Sequence, residues 1–415
     1  MKLELAKGVK DIYPEEKILQ QRVMDVFRRT FELYGYAPIE TPLLEKYEVL
    51  ASKYAGGSEI LNEMFTLNDQ GGRRLALRYD LTVPFCRFVG MNKTLKMPFK
   101  RYEMGPVFRD GPISVSRFRQ FWQCDVDVVG IKSMKIDAEF VEIFNKVFEE
   151  LGLNVEVRVN NRKILDAIME RLEINKPGEA ILIVDKLDKI GVKGVSKELK
   201  EIGTEENQIR LLLKIISVEG TNKQKLKSLR DQLGVCEGLD EIEEVMKYSD
   251  KFVFDISLAR GLAYYTGTIY EVYLKNGEIK TAVASGGRYD KMISGFLESN
   301  QDYPALGISF GLSRIALALQ NQNIKSVNKV YVIPIKTEVN DVVKNLRNSG
   351  INTDVDYNSR GVSKNLDYAS KLGIPYCLII GEKELKSNKY TLRNMNTGKE
   401  LKLSITEIIK KLKWI

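Results

Sequence analysis

The spacing of apolar residues predicts two long amphipathic helices in the first third of the chain. Between residues 15 and 35 the apolar side chains recur at helical intervals up to Gly35, at Ile18, Val23, Val26, Phe27 and Phe31. Short strands follow, and the segment DAEFVEIFNKVFEELG at 136–151 repeats the helical pattern before a second glycine. Strands flanked by such helices indicate an α/β protein.

The middle of the chain differs in composition from the segments on either side. Residues 172–245 are rich in lysine and glutamate, follow a helical pattern and contain few aromatic residues, which predicts an inserted helical subdomain. Strand-like character resumes at residue 251. The polar stretch QNQNIKS at 320–326 is typical of a linker.

Strands and helices alternate beyond that linker. The pattern predicts strands at 329–335, 351–356 and 376–381 with helices at 337–348 and 362–372. This is the pattern of a small α/β unit with a largely parallel sheet. It contains neither GxGxxG nor GxxxxGK[ST], so we expect a binding role rather than dinucleotide or P-loop chemistry.

The segment SLARGLAYYTGTIYEV at 257–272 separates two strand-like runs with an arginine, two glycines and paired tyrosines. It has two interpretations. A glycine between β-formers is typical of a strand bend, and two adjacent tyrosines in a strand lie on opposite faces, with one in the core. The alternative is a turn that presents one fixed cation, Arg260, and one phenol to a small ligand.

Composition indicates a cytoplasmic protein of two or three domains. The chain has 415 residues, 44% of them hydrophobic. No apolar run approaches the roughly 20 residues of a membrane span, and the N-terminus lacks the apolar core of a secretory leader. The cysteines lack metal-ligand spacing, which favours a reducing compartment; they are Cys86, Cys124, Cys236 and Cys377.

The absence of histidine and the distribution of charge narrow the function. With no histidine, the chain excludes Ser-His-Asp and Cys-His catalysis, HExxH zinc sites and imidazole bases. Residues 328–415 hold 16 Lys and Arg against 9 Asp and Glu, whereas residues 1–327 hold 48 against 47. A basic excess in one terminal unit is typical of a nucleic-acid-binding module, although solvated lysine faces give the same count.

Three further windows carry candidate chemistry. They are LRYDLTVPFCRF at 77–88, GPVFRDGPISVSRFRQFWQCDVDVVG at 105–130, and GGRYD at 286–290 with ALGISFGLSRIALAL at 305–319. An arginine on a strand, then a loop and a second strand with aromatic residues and carboxylates, suits a nucleotide bound on an antiparallel sheet. Three arginine-bearing strands in one chain are more informative than any one alone.

These windows together resemble class II aminoacyl-tRNA synthetases, and the histidyl-tRNA synthetase family in particular. KGVKDIYP at 7–14 is similar to the family's opening, YGYAPIETPLLE at 34–45 to motif 1, residues 108–127 to motif 2, and 307–314 to motif 3. The 257–272 segment resembles the histidine-specific segment. VDKLDKI at 184–190 and GIPYCLIIGEKEL at 373–385 also resemble the family.

The resemblance implies a role for each candidate residue. The catalytic arginines are Arg109, at the α-phosphate of ATP, and Arg260, between that phosphate and the carboxylate of histidine. Phe121 and Arg314 enclose adenine, and Arg314 also reaches the γ-phosphate. Histidine is bound through its imidazole by Asp127 and Tyr265 and through its α-ammonium by Asp80, Thr82 and Gln123. Tyr264 is a further candidate for histidine binding. Since the tyrosine rings are expected on opposite faces, only one should touch substrate.

The resemblance also implies an architecture. We expect an antiparallel class II sheet of six or seven strands flanked by helices, a helical insertion and a C-terminal α/β anticodon-binding domain. The corresponding boundaries are 1–171 with 246–325 for the catalytic domain, 172–245 for the insertion and 328–415 for the anticodon-binding domain. The implied reaction uses ATP and Mg²⁺, the implied partner is tRNA(His), and a homodimer forms through residues near 34–50.

The sequence departs from the family pattern at two positions, Ala263 and Ser313, where an acidic residue is usual. A carboxylate beside Arg260 would orient it, so its loss is expected to loosen that cation. The motif 2 loop at 110–116 is short and lacks positive charge. Three functions stay open: a histidine–tRNA ligase, a non-catalytic histidine-binding paralogue, and a ligase with altered activity because of Ala263.

Overall fold

The computed structural model describes residues 2–52, 61–114, 117–260, 264–277, 279–320 and 325–413. Ala263, part of the motif 2 loop and most of the predicted linker lie outside these ranges. The chain divides into two compact units, one of Met1–Lys10 with Val23–Ala318 and the other of Asp11–Arg22 with Leu319–Ile415.

The strands of the larger unit form two sheets. In chain order they are β1 Ala37–Pro38, β2 Leu44–Lys46, β3 Thr66–Asn68, β4 Arg74–Leu77, β5 Phe99–Phe108, β6 Gln120–Val129, β7 Val155–Asn161, β8 Val253–Phe254, β9 Thr268–Leu274, β10 Ala284–Arg288 and β11 Ala305–Gly311. The large sheet has the order β1-β5-β6-β11-β10-β9-β7-β8, and the small one has the order β2-β4-β3. The six central strands of the large sheet are antiparallel, as predicted.

The large sheet has eight strands among the described residues, not the six or seven expected. Two-residue strands at its edges, β1 and β8, pair in parallel with β5 and β7 and account for the difference. Elements of two residues carry too few apolar positions for a period of two to be recognised.

Twelve described helices accompany these sheets. They are α1 Pro14–Leu33, α2 Tyr47–Leu50, α3 Thr82–Met91, α4 Met134–Glu150, α5 Arg162–Arg171, α6 Pro177–Val184, α7 Leu187–Glu201, α8 Glu206–Ile216, α9 Asn222–Leu233, α10 Glu237–Tyr248, α11 Met292–Phe296 and α12 Leu312–Ala318. Both long helices predicted from the apolar spacing, α1 and α4, are confirmed. Five helices, α6 to α10, follow one another through residues 177–248 without an intervening described strand. No described helix combines the length and apolar character needed to cross a membrane.

The 77–88 window is not the arginine-bearing strand that we expected. Strand β4 ends at Leu77 and helix α3 begins at Thr82, so Arg78 and Asp80 lie in the connection between them. Asp80 accepts a hydrogen bond from the backbone N–H of Val83 at 3.1 Å. It thereby satisfies one of the free N–H groups at the start of the helix.

One face of the large sheet is apolar and packs against α1 and α4. Phe310 of β11 lies at its centre, with ring centroids 4.9 Å from Phe27, 5.7 Å from Phe31 and 5.5 Å from Phe144. Successive residues of a strand face opposite sides, so β11 directs its even-numbered side chains into this core. Its odd-numbered residues, Gly307 among them, face the other side, where the candidate site lies.

The smaller unit has a mixed sheet rather than the largely parallel one expected. Its strands are β12 Val330–Pro334, β13 Thr353–Val355, β14 Tyr376–Ile380, β15 Tyr390–Asn394 and β16 Glu400–Leu403, and its helices are α13 Asn340–Asn348, α14 Val362–Lys371, α15 Glu382–Ser387 and α16 Ile405–Lys413. The order is β13-β12-β14-β15-β16. The first three strands are parallel, as predicted, whereas β15 and β16 add an antiparallel hairpin.

Candidate active site

The second face of the large sheet carries a row of polar residues across its six central strands. Register pairs across six adjacent strands align one residue from each in a single row, called here the polar row: Glu103, Asp125, Ser309, Ser285, Glu271 and Arg158. A neighbouring row contains Arg101, Asp127, Gly307 and Gly287. Side chains in such rows lie close enough to interact across strands.

Two glycines leave space for neighbouring side chains on this face. A Cβ at Gly307 would lie 1.8 Å from Oδ1 of Asp127, and a Cβ at Gly287 would lie 2.7 Å from the ring of Tyr265. Neither distance is compatible with a side chain. The two glycines therefore leave the room in which the carboxylate of Asp127 and the ring of Tyr265 lie.

A buried ion network supports the floor of the site. Arg101 pairs with Asp127 at 2.9 Å and with Glu103 at 3.6 Å, and its guanidinium lies 4.3 Å from the ring centroid of Phe85. Glu103 pairs in turn with Arg78 at 2.7 Å. Burial opposes the charged form of Arg101, but Asp127 and Glu103 outweigh it and raise its pKa. Arg101 was not among the predicted site residues, although a charged residue within an otherwise buried strand was the available signal.

Asp127 is held in one orientation. The hydroxyl of Tyr289 donates to its Oδ1 at 2.5 Å, and Arg101 pairs with Oδ2. Burial raises the pKa of Asp127, while Arg101 and the Tyr289 hydroxyl act against that shift. Burial also raises the pKa of the Tyr289 hydroxyl far above its usual range, so that it stays a donor. Tyr289 was missed as a site residue, although it lies in the quoted GGRYD window.

A second group of polar side chains lies beside Asp127. Asp80 is buried; its desolvation raises its pKa to about 6, even though the backbone N–H of Val83 and the charge of Arg109 act in the opposite direction. Gln123 donates to the hydroxyl of Ser309 at 2.9 Å, and its own carbonyl oxygen is buried without a hydrogen-bond partner among the described residues. A buried carboxylate and an unused amide oxygen both favour a ligand that brings positive charge and N–H donors.

Two further arginines, Arg109 and Arg314, bring positive charge to the site. Arg109 donates to the backbone carbonyl of Tyr79 at 3.0 Å, and its guanidinium lies 5.2 Å from the ring centroid of Phe121. Arg314, at the start of α12, donates to the carbonyl of Ala282 at 2.8 Å. Partial desolvation lowers the pKa of Arg314, and the nearby charges of Arg109 and other arginines lower it further. Mutually repelling guanidinium groups of this kind favour a bound polyanion.

Arg260 has a carboxylate partner, contrary to the loosening expected from Ala263. Its Nη1 lies 2.8 Å from Oε1 of Glu271, and its guanidinium lies 5.8 Å from the ring centroid of Tyr265. Glu271 lies eleven residues along the chain, and only the tertiary structure brings it to the arginine.

The prediction that the two adjacent tyrosines lie on opposite faces is wrong. Both precede β9 and lie outside any strand, and the ring centroids of Tyr264 and Tyr265 are 4.7 Å apart at an interplanar angle of 56°. Tyr264 also approaches the ring of Tyr289, at 6.3 Å. Since an alternation of faces applies only within a strand, both tyrosines belong to the same side of the site.

Paired charges follow the motif 2 loop directly. Ser114 and Arg117 exchange backbone hydrogen bonds of 3.0 and 3.2 Å. Arg117 pairs with Glu63 at 2.5 Å, and Arg119 pairs with Asp110 at 2.8 Å. The first arginines after residues 110–116 are therefore each paired with a carboxylate.

Comparisons with known proteins agree with this arrangement. The family model described as histidyl-tRNA synthetase matches residues 8–315, and the model of an anticodon-binding domain matches residues 329–414. A protein of Bacillus cereus named histidine–tRNA ligase 1 is 42% identical over 98% of this chain and 99% of its own length. A histidine–tRNA ligase of Aeropyrum pernix is 37% identical over 97% and 96%, respectively.

Solved structures give the same result. The crystal structure of a histidyl-tRNA synthetase from Nostoc is 32% identical and covers 100% of this chain and 99% of its own, with a TM-score of 0.88. A Bacillus halodurans structure titled as an ATP phosphoribosyltransferase regulatory subunit/histidyl-tRNA synthetase shares the fold at 21% identity, with a TM-score of 0.74 and coverage of 91% and 97%. On the family match and the full-length relatives, this chain belongs to the histidyl-tRNA synthetase family.

Proposed function

We propose that this chain activates histidine with ATP to histidyl-adenylate and transfers the histidyl group to tRNA(His). The observation that carries the proposal is the presence of clustered guanidinium groups and buried carboxylates in one site. The charges of Arg109 and Arg260 act on Arg314, and the buried carboxylates of Asp80 and Asp127 lie close enough to interact with each other and with Arg109. An amino acid joined to a nucleotide phosphate carries the complementary charges, with its ammonium and imidazole suited to the carboxylates and its phosphate suited to the arginines.

The adenylate would lie along the polar face with its nucleotide toward the arginines. Arg109, oriented by the carbonyl of Tyr79 and the ring of Phe121, would bind the α-phosphate. Phe121 and Arg314 would enclose adenine, and Arg314 would extend to the γ-phosphate. A guanidinium keeps its proton and presents a planar array of donors, which suits phosphate oxygens.

Histidine would occupy the carboxylate end. Asp127 would accept a hydrogen bond from one imidazole nitrogen, with Tyr264 and Tyr265 beside the ring, and Tyr289 would keep that carboxylate in place. A pocket with this buried acceptor would reject an apolar side chain, which would leave the acceptor unpaired.

The α-ammonium would lie between Asp80, Thr82 and Gln123. A cation bound there would offset the desolvation that raises the pKa of Asp80 in the free protein. The unpaired carbonyl oxygen of Gln123 would accept a hydrogen bond from one N–H of the α-ammonium.

The activation step needs no general base. The carboxylate of histidine is already ionised at neutral pH and attacks the α-phosphorus of ATP, forming the acyl-phosphate bond while the bond to pyrophosphate breaks. Arg109 and Arg260 would hold the attacking carboxylate and the α-phosphate in line and neutralise the charge that develops between them. This agrees with a chain that contains no histidine.

Mg²⁺ would enter as part of the MgATP substrate. Within the described residues, no group of three or more Asp, Glu, Cys or His side chains could hold a metal ion. The ion would therefore be bound chiefly by the phosphates and water, as Mg²⁺ often is in nucleotide sites.

We also propose a homodimer in a reducing cytoplasm, with tRNA bound partly through the basic C-terminal unit. Large apolar side chains are exposed near the 34–50 segment and on the adjacent α3 helix, including Leu43, Leu44 and Met91. Such a patch is typical of a protein interface. All four cysteines are buried and none forms a disulfide among the described residues, which suits a reducing compartment. Analytical ultracentrifugation, with Leu44→Lys as the disrupting variant, would test the dimer.

ATP–pyrophosphate exchange with each standard amino acid offered separately tests the central reaction. Exchange with histidine alone would support the proposal, and Arg109→Gln should reduce it strongly. Arg73→Gln, which removes an exposed arginine paired with Asp69, is the matched control and should leave exchange unchanged. No exchange with any amino acid, together with retained histidine binding, would favour the alternative of a non-catalytic histidine-binding paralogue.

A further inference from the structure

Arg260 occupies an unfavourable backbone conformation. Its φ is +51°, in the left-handed region that residues other than glycine seldom adopt. Such a conformation persists when surrounding contacts hold it, and it is enriched at functional sites. The contacts that hold Arg260 therefore indicate which residues determine the position of its guanidinium.

The side chain of Arg260 is held by one carboxylate that is itself fixed at two points. Oε1 of Glu271 accepts from Nη1 of Arg260 at 2.8 Å, and Oε2 accepts a short hydrogen bond from the hydroxyl of Tyr273. The Glu271 side chain is 14% exposed and that of Arg260 is 19% exposed. Because Glu271 lies within β9, at the register position between Ser285 and Arg158, the sheet fixes its backbone as well.

The backbone of Arg260 lies near a second carboxylate. Its N–H favours the charged form of Asp185, at the C-terminal end of α6. Burial and the charge of Glu271 raise the pKa of Asp185, and the positive charge of Arg260 lowers it. Two carboxylates, one from the sheet and one from the helical segment, thus lie against the same arginine.

This arrangement leaves part of the guanidinium available. Nε of Arg260 is buried and has no hydrogen-bond partner among the described residues. A buried donor without a partner is costly unless a ligand supplies an acceptor. The anionic carboxylate and α-phosphate of the substrates would do so, while Glu271 keeps the other side of the guanidinium fixed.

We propose that Glu271 is the positioning residue of Arg260. This inference rests on the proposed function. An arginine side chain loses conformational entropy about several rotatable bonds when it is immobilised. A carboxylate that immobilises it before substrate binds removes that entropy cost from the reaction. Glu271 also offsets the repulsion among the arginines. The charges of Arg109 and Arg260 lower the pKa of Arg314, whereas the charge of Glu271 raises it.

The test compares Glu271→Gln and Glu271→Asp with a matched control. Glu156→Gln makes the same change on the adjacent strand β7, where Glu156 pairs with Arg158 at 2.8 Å on the same face of the sheet. Each variant is assayed for histidine-dependent ATP–pyrophosphate exchange. Each is also titrated with histidinol, which lacks the carboxylate, and with a non-hydrolysable sulfamoyl analogue of histidyl-adenylate, which is anionic at the reacting position.

Glu271→Gln is expected to lower the kcat of exchange and the affinity for the sulfamoyl analogue by about 30- to 100-fold, the range expected for a misplaced reacting group. Its histidinol affinity should stay within about twofold of wild type, because histidinol carries no anion to reach Arg260. Glu271→Asp should recover part of the loss, and Glu156→Gln should behave as wild type.

Two results would overturn the inference. In one, Glu271→Gln matches Glu156→Gln in both exchange and analogue binding, which would remove any role for Glu271. In the other, histidinol affinity falls as far as analogue affinity, which would make Glu271 a general structural residue. An inactive wild-type protein would instead contradict the proposed function, so the two failures are distinguishable.

Discussion

Replacing Gly307 by alanine is expected to disrupt the floor of the site. A Cβ at this position would lie 1.8 Å from Oδ1 and 2.6 Å from Cγ of Asp127, and 3.2 Å from the ring of Tyr289. The strand cannot move away easily, because β11 is paired on both sides, with β6 and β10. The carboxylate of Asp127 must therefore leave Tyr289 or Arg101.

The structure sets the size of this effect. Overpacking a core commonly costs about 1–3 kcal/mol, and separating a buried charge from its partner roughly 3–5 kcal/mol. We expect a loss of about 4 kcal/mol, which for a unit of this size lowers the melting temperature by about 8 °C. Loss of the oriented acceptor should also weaken histidine binding by roughly 10- to 100-fold.

Gly311→Ala on the same strand is the matched control. A Cβ at Gly311 would meet the carbonyl oxygen of Val283 at 3.3 Å and the side chain of Arg314 only at 3.8 Å. Thermal unfolding of both variants and calorimetric titration with histidine measure the two effects. If Gly307→Ala melts within 2 °C of Gly311→Ala and binds histidine equally well, our account of the glycine-lined floor is incorrect.

Three further predictions follow from individual contacts. Burial raises the folded-state pKa of Asp80 from 3.8 to about 6. The free energy of unfolding of the wild-type protein should therefore fall by about 3 kcal/mol relative to that of Asp80→Asn as the pH rises through that interval. The chain has no histidine that would titrate there, so a difference in thermal unfolding that does not change with pH would refute the assignment. Tyr289→Phe removes the 2.5 Å donor to Asp127 and should cost about 1–3 kcal/mol in urea unfolding, and a variant as stable as wild type would show that the hydroxyl is dispensable. Asn365 is buried and donates to Asp356 at 2.9 Å, so Asn365→Leu should impair tRNA charging and leave ATP–pyrophosphate exchange intact; an equal loss of both activities would contradict this separation.

The candidate site could be predicted from sequence where a residue lies within a short motif. Arg109, Gln123 and Asp127 lie within about twenty residues of one another on a strand–loop–strand segment, and the structure places them on β6 or directly after β5. The roles proposed for them stay predictions, since the assays described above have yet to test them. The predicted local geometry was wrong at Tyr264 and Tyr265, where an alternation of faces was assumed outside a strand, and around Arg78, where a strand was assumed in a connection.

The supporting residues could not be predicted in this way. Tyr289 reaches Asp127 across a separation of 162 residues, and Arg101 joins Asp127 only because β5 and β6 pair in one particular register. Glu271 of β9 pairs with Arg260, which lies outside any strand and has a positive φ. A one-residue change of register would move each of these side chains to the opposite face.

The sequence by itself determined the amphipathic helices, the basic C-terminal unit and the exclusion of imidazole chemistry. Each follows from local spacing or from composition, which tertiary contacts do not alter. The antiparallel sheet was expected only through the resemblance to a known family. The tertiary structure alone decided which carboxylate holds Arg260, which hydroxyl orients Asp127, and which glycines leave room for both. These features depend on strand order and register, and those are fixed by the burial of the opposite, apolar face around Phe310.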